Sequence, residues 1–127
     1  MRKALLLGLA GLLGTLVLGV GSASAKAGDV ITQGQCSGTS TWKLKLSPEN
    51  GRIEVQFEVD QNVVGDKWRV VIKDNGILVF RGSRVTQAPS GSFEVRKVIP
   101  DQAGPDNITA RAKNVRTAEV CSASATF

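Results

Sequence analysis

Apolar and polar side chains alternate with a period of two over most of this chain, and that pattern confines it to β-strands with one buried face. Trp42, Leu44 and Leu46 alternate with Lys43 and Lys45, and Ile53, Val55, Phe57 and Val59 with Arg52, Glu54, Gln56 and Glu58. Trp68, Val70 and Ile72 follow the same rule, as do Leu78 and Phe80, Phe93 and Val95, and Ile108, Ala110 and Ala112. The last set is Cys121, Ala123, Ala125 and Phe127, interleaved with Ser122, Ser124 and Thr126. Helical periodicity is sustained nowhere beyond residue 26. Turn residues separate the runs: Ser47-Pro48-Glu49-Asn50-Gly51, Asp74-Asn75-Gly76, Ala88-Pro89-Ser90-Gly91 and residues 100–107. About seven strands at this spacing predict an all-β fold, a single immunoglobulin-like or fibronectin III-like β-sandwich. A membrane barrel is excluded, because a chain with no Tyr and two Trp cannot build aromatic girdles.

Parity carries the prediction further at Asp74-Asn75-Gly76. A two-residue Asn75-Gly76 loop in regular register would pair Val70 with Arg81 and put a charge in the core. A three-residue loop with Gly76 left-handed in a G1 bulge pairs Ile72 with Leu78 and Val70 with Phe80. The apolar pattern selects the three-residue loop.

The N-terminus reads as a targeting segment. Arg2 and Lys3 precede an uncharged run over residues 4–20, and Ala23-Ser24-Ala25 fits the small-residue cleavage pattern. The expected organisation is a signal peptide over residues 1–25, a flexible lead over 26–35 and the sandwich over 36–127. Cleavage after Ala27 is the alternative. What remains is about 100 residues, one domain. No membrane span is expected in it, and the expected location is extracellular, secreted or associated with the cell wall. Cys36 and Cys121 are the two cysteines, and in an exported chain such a pair predicts a disulfide. Both share the parity of core residues, so the bond would join the first strand to the last.

Composition excludes most catalytic chemistry. The chain has no histidine, which removes Ser-His-Asp and Cys-His sites and the commonest metal ligand. Glu54 and Glu58 lie on one strand face about 13 Å apart, too far for a glycosidase pair. With Glu94 they read as solvent-facing partners of Lys43, Lys45 and Arg96. No enzyme activity and no cofactor is expected. The one metal candidate is calcium, at Asp60, Asn62 and Asp66 in a loop between two strands. It lacks the alternating acids and bidentate glutamate of an EF-hand, and turn-forming Asp and Asn explain the same residues.

Export would leave a net charge of about +3, too slight to imply nucleic-acid binding. Its distribution is more informative. In immunoglobulin strand order, the strands around residues 70, 79, 110 and 123 share one sheet. Its outward residues would be Arg69, Val71 and Lys73, then Ile77, Val79 and Arg81, then Thr109, Arg111 and Lys113, with Glu119 the nearest acid. A basic face with an apolar stripe predicts an anionic cell-envelope polymer or an extracellular protein as partner of a monomeric, non-catalytic module. The alternative is a secreted hydrolase inhibitor that inserts residues 84–92, with Arg84 and Pro89-Ser90-Gly91, into a cleft.

The Gly/Leu-rich leader ending Ala-Ser-Ala, the run Trp42-Lys43-Leu44-Lys45-Leu46-Ser47-Pro48-Glu49-Asn50-Gly51, the segment Ala88-Pro89-Ser90-Gly91-Ser92-Phe93-Glu94-Val95-Arg96 and the closing Cys121 carry a resemblance. The chain resembles a group of small uncharacterised secreted proteins of actinobacteria. That resemblance implies export and a β-sandwich and brings no activity with it. Enediyne-carrying apoproteins are similar in architecture alone, since they need two disulfides.

Overall fold

The computed structural model describes residues 28–127, so the expected signal peptide and its cleavage site lie outside the described residues. Eight strands follow one another: β1 (Val30–Gln35), β2 (Thr41–Glu49), β3 (Arg52–Asp60), β4 (Lys67–Asp74), β5 (Ile77–Val85), β6 (Ser92–Pro100), β7 (Asn107–Asn114) and β8 (Val120–Thr126). They form two antiparallel four-stranded sheets, ordered β1-β2-β3-β6 and β5-β4-β7-β8, packed as a β-sandwich. The four strands expected to share a sheet do so. No helix occurs among the described residues.

Alternation places the core as read. Leu44, Leu46, Ile53, Val55, Phe57, Val59, Trp68, Val70 and Ile72 are fully buried between the sheets. Each such side chain stabilises the fold by about 1.5–3 kcal/mol. The Trp68 ring lies 5.9 Å from that of Phe93, and its indole N–H donates to Gln61 Oε1 at 3.0 Å, so the one polar atom of the largest core side chain is satisfied.

Two expectations need correction. The segment read as a flexible lead contains β1, which makes eight strands where about seven were expected. Its polar composition (Thr32, Gln33, Gln35) concealed an edge strand that pairs with β2 from Val30–Leu46 to Gln35–Thr41. Gly34 is required there, because a Cβ would stand 2.9 Å from Cζ2 of the Trp42 indole lying across it. Thr32 Oγ1 donates to the Ser124 carbonyl at 2.9 Å and fastens β1 onto β8.

The β4–β5 hairpin also differs. Its loop is two residues long, with Asp74 opposite Ile77, and Asn75 and Gly76 both have positive φ (50° and 81°). Both central residues of a type I′ turn need this. The charge problem is solved further along: Lys73 opposes Leu78 and Ile72 opposes Phe80, so Val79 is an extra, bulged residue. The slip returns Phe80 to the inner face and sends Arg81, opposite Val71, outward.

The disulfide joins Cys36 to Cys121 across 85 positions. It closes the side of the sandwich where β1 and β2 pack on β8, beside Ser37 N–H to Val120 O (2.8 Å) and Val120 N–H to Ser37 Oγ (2.9 Å).

Gly91 seals the same end of the molecule. Its φ is +71°, and a Cβ would collide with the backbone N of Val63, while its carbonyl accepts from Gln61 N–H and Asn62 N–H. Gly91→Ala is therefore expected to cost about 2 kcal/mol or more, through left-handed strain plus backbone collision. Urea denaturation measures this; a loss below about 0.5 kcal/mol would show that the loop gives way freely.

Candidate functional site

The outer face of the β5-β4-β7-β8 sheet is an ordered grid. Antiparallel register aligns three rungs across the strands: Ser83–Arg69–Lys113–Val120, Arg81–Val71–Arg111–Ser122, and Leu78–Lys73–Thr109–Ser124. Neighbouring strands lie about 4.8 Å apart and successive rungs about 6.7 Å apart. Arg69, Lys73, Arg81, Arg111 and Lys113 are all exposed, with Val71 half-buried among them. None of these five cations has a carboxylate within 4 Å among the described residues. Arg69 and Lys113 stand directly opposite on adjacent strands, a like-charge placement that costs stability.

The bulge alters the expected membership of this face. Val79 packs partly against the core. Ile77, 69% exposed, overhangs the end of the sandwich opposite buried Asp74, and Leu78, 46% exposed, takes the place beside Lys73. The apolar stripe is thus Val71 with Leu78. Ser122 and Ser124 complete the rungs on β8, and the period-two parity of that strand already pointed them outward.

Between long and short side chains the face sinks into an open depression of about 570 Å³, lined by Val71, Lys73, Arg81, Thr109, Arg111, Ser122 and Ser124. It exists because β8 presents serines where the other strands present Lys and Arg. Glu119, the expected neighbouring acid, is turned away: its Oε2 accepts from Gly38 N–H (3.0 Å) and Ser40 N–H (2.9 Å), its Oε1 from Ser40 Oγ (2.8 Å).

The opposite face neutralises itself. Lys43 faces Glu58 at 4.0 Å, Arg96 meets Glu54 at 2.9 Å and Glu94 at 3.8 Å, and Lys45 lies 3.9 Å from the buried Asp29. The Glu54, Glu58 and Glu94 carboxylates are therefore ordinary members of a mixed-charge sheet.

Other partners engage the residues of the calcium candidate. Asp66 is held by Arg116 (Nη2 to Oδ2, 2.7 Å), Gln61 (2.7 Å) and Asn114 (3.1 Å). The Arg116 hydrogen bonds first, then those from Gln61 and Asn114, hold its carboxyl well below the usual carboxylate range. A guanidinium already supplies the positive charge that a cation would bring. Asn62 has φ 63° and serves the turn, and Asp60 ends β3 opposite Ser92. No group of three metal-ligating acids, His or Cys occurs among the described residues.

At the opposite pole of the sandwich is a carboxylate pair the sequence did not reveal. Asp74, 4% exposed, ends β4, and Asp106 is fully buried. Burial, then a hydrogen bond and charge from Asp106, then the charge of Asp101, push the Asp74 carboxyl up to about 6. Its Oδ1 is buried without a hydrogen-bond partner. Asp106 accepts from Gln102 N–H at 3.2 Å, and Asn75 clamps the hairpin to the same loop through Asn107 N–H to Oδ1 (2.9 Å) and its own Nδ2 to Pro105 O (3.2 Å).

The segment at residues 84–92 is not an extended loop. Arg84 belongs to β5 and stacks on Phe80, 5.2 Å from the ring centroid. Gln87 N–H donates to Ser92 O and Gly91 N–H to Gln87 O, both at 2.8 Å, which closes the turn on itself.

No protein-family model matches the chain, and no curated protein matches it significantly.

Proposed function

We propose that this chain is a secreted, non-catalytic module of immunoglobulin-like or fibronectin III-like arrangement, with β1 as an added edge strand. In this reading it binds an anionic polymer of the cell envelope through the outer face of the β5-β4-β7-β8 sheet. The observation that carries the reading is five unpaired cations gathered on one face, two of them directly opposed. These five exceed the net charge of the exported chain, so the remaining charges, with Asp74 and Asp106 buried, leave the rest of its surface about balanced. The molecule is polarised, and a polarised surface orients a polyanion as well as attracting it. The leader and the 85-residue disulfide span fit export into an oxidising compartment.

Co-sedimentation of the oxidised protein with isolated bacterial cell walls over a salt series tests this. Binding is expected at low ionic strength and is expected to disappear as salt is raised, because exposed charges are screened. Absence of binding at low salt would contradict the reading.

A further inference from the structure

We propose that the depression on the basic face selects phosphate over carboxylate, and that its ligand is a polyol-phosphate chain lying along β4 and β7. This rests on the basic-face reading and goes beyond it by naming the anion. Lys73, Arg81 and Arg111 surround a floor carrying the hydroxyls of Thr109, Ser122 and Ser124. Among the described residues, these three hydroxyls make no hydrogen bond within the protein; the Ser124 bond to Thr32 uses the backbone carbonyl. A planar carboxylate is satisfied by one guanidinium fork. A tetrahedral phosphodiester presents oxygens in more than one direction, and here hydroxyl donors lie below while cationic donors stand around.

The spacing favours a chain. Each rung carries at least one cation, and rungs recur about every 6.7 Å along the strands. That is a ladder for an extended polymer with one negative charge per short repeat. The three rungs contain no aromatic side chain, so the bases of a single-stranded nucleic acid would find no stacking platform. A lipid surface fits less well. Exposed Ile77 and Leu78 sit at the hairpin tip, but the exposed Asp101 lies at the same end and would face anionic headgroups.

The test is titration at low salt with poly(glycerol phosphate), with polyglutamate of matched length, and with phosphatidylglycerol vesicles. The phosphate polymer is expected to bind about tenfold more tightly than polyglutamate, the margin of one charge-assisted hydrogen bond. Ser122→Ala/Ser124→Ala should remove that margin and leave polyglutamate binding unchanged, which also shows the variant folded. Equal affinity for the two polymers would overturn phosphate selection while leaving the basic face intact. Binding to neither polymer would overturn both readings. Vesicles bound more tightly than the soluble phosphate polymer would replace the polymer with a lipid surface.

Discussion

Replacing both Cys36 and Cys121 with Ala is expected to remove about 4 kcal/mol of stability, the largest effect of any change outside the aromatic core. The bond closes a loop of 85 positions, and in the chain-entropy account a loop of that length withholds roughly 4–5 kcal/mol of freedom from the unfolded chain. A domain of about 100 residues has roughly 5–15 kcal/mol to lose, so the reduced form should sit near the edge of folding. The melting temperature would fall by about 20 °C. The position of the bond adds to its importance. It lies on the side of the sandwich where β1 and β2 meet β8, so its removal also loosens the edge strand that Thr32 fastens. Guanidinium unfolding of the oxidised protein and the double variant measures the difference. A loss under about 1 kcal/mol would mean the β1–β8 contacts hold that side closed by themselves.

The second large effect is expected at Asp74. Its carboxyl titrates near 6 in the folded protein against 3.8 for an unperturbed aspartate. The folded state therefore binds this proton more tightly than the unfolded chain does. Stability from this group is fully present below about pH 4, declines as pH rises through 6, and is absent above it. That difference corresponds to at most about 3 kcal/mol. Asp74→Asn cannot ionise, so it should be more stable than the parent by up to about 3 kcal/mol at pH 8, with the advantage vanishing toward pH 4. Comparing the two chains at each pH cancels the acids remote from Asp74, including Asp66, whose depressed carboxyl works in the opposite sense, while Asp106 and Asp101, which interact with Asp74, contribute to the same trend. Denaturant unfolding at pH 4, 6 and 8 reads the trend. An advantage that stays constant with pH would show that Asp74 is not carrying a charge into the core.

Most of the fold was legible because burial imposes parity and the strands obey it. Every residue from Trp68 to Ile72 faces as alternation requires, and so do the outward Arg69, Arg111 and Lys113. The failures are instructive. β1 escaped because an edge strand paired on one side tolerates polar residues, and Gly34 was chosen for the Trp42 indole and not for strand propensity. The β4–β5 hairpin had two ways to keep Arg81 out of the core. Parity demanded a slip of one residue without saying where, and the chain placed it at Val79 rather than at the turn. Thus Ile77 and Val79 left the expected face and Leu78 joined it. The Asp74–Asp106 pair was hidden for another reason: a charged residue at a strand end reads as a solvated turn residue, and only the fold of the 101–107 segment over it creates the burial. The ion pair of Asp66 was hidden for a similar reason, since Arg116 lies 50 positions away and no local pattern links them.

The most direct test of the polarised surface compares two variants of equal net charge for binding to cell walls at low salt. One is Arg69→Gln/Lys73→Gln/Arg111→Gln; the other is Lys43→Gln/Arg52→Gln/Arg96→Gln, drawn from the self-neutralised face. All six positions are surface-directed, so both variants should keep the parent's stability to within about 1 kcal/mol. The first is expected to lose binding at least tenfold and the second to retain it. Equal losses would contradict a binding face and leave only the net charge of the molecule at work.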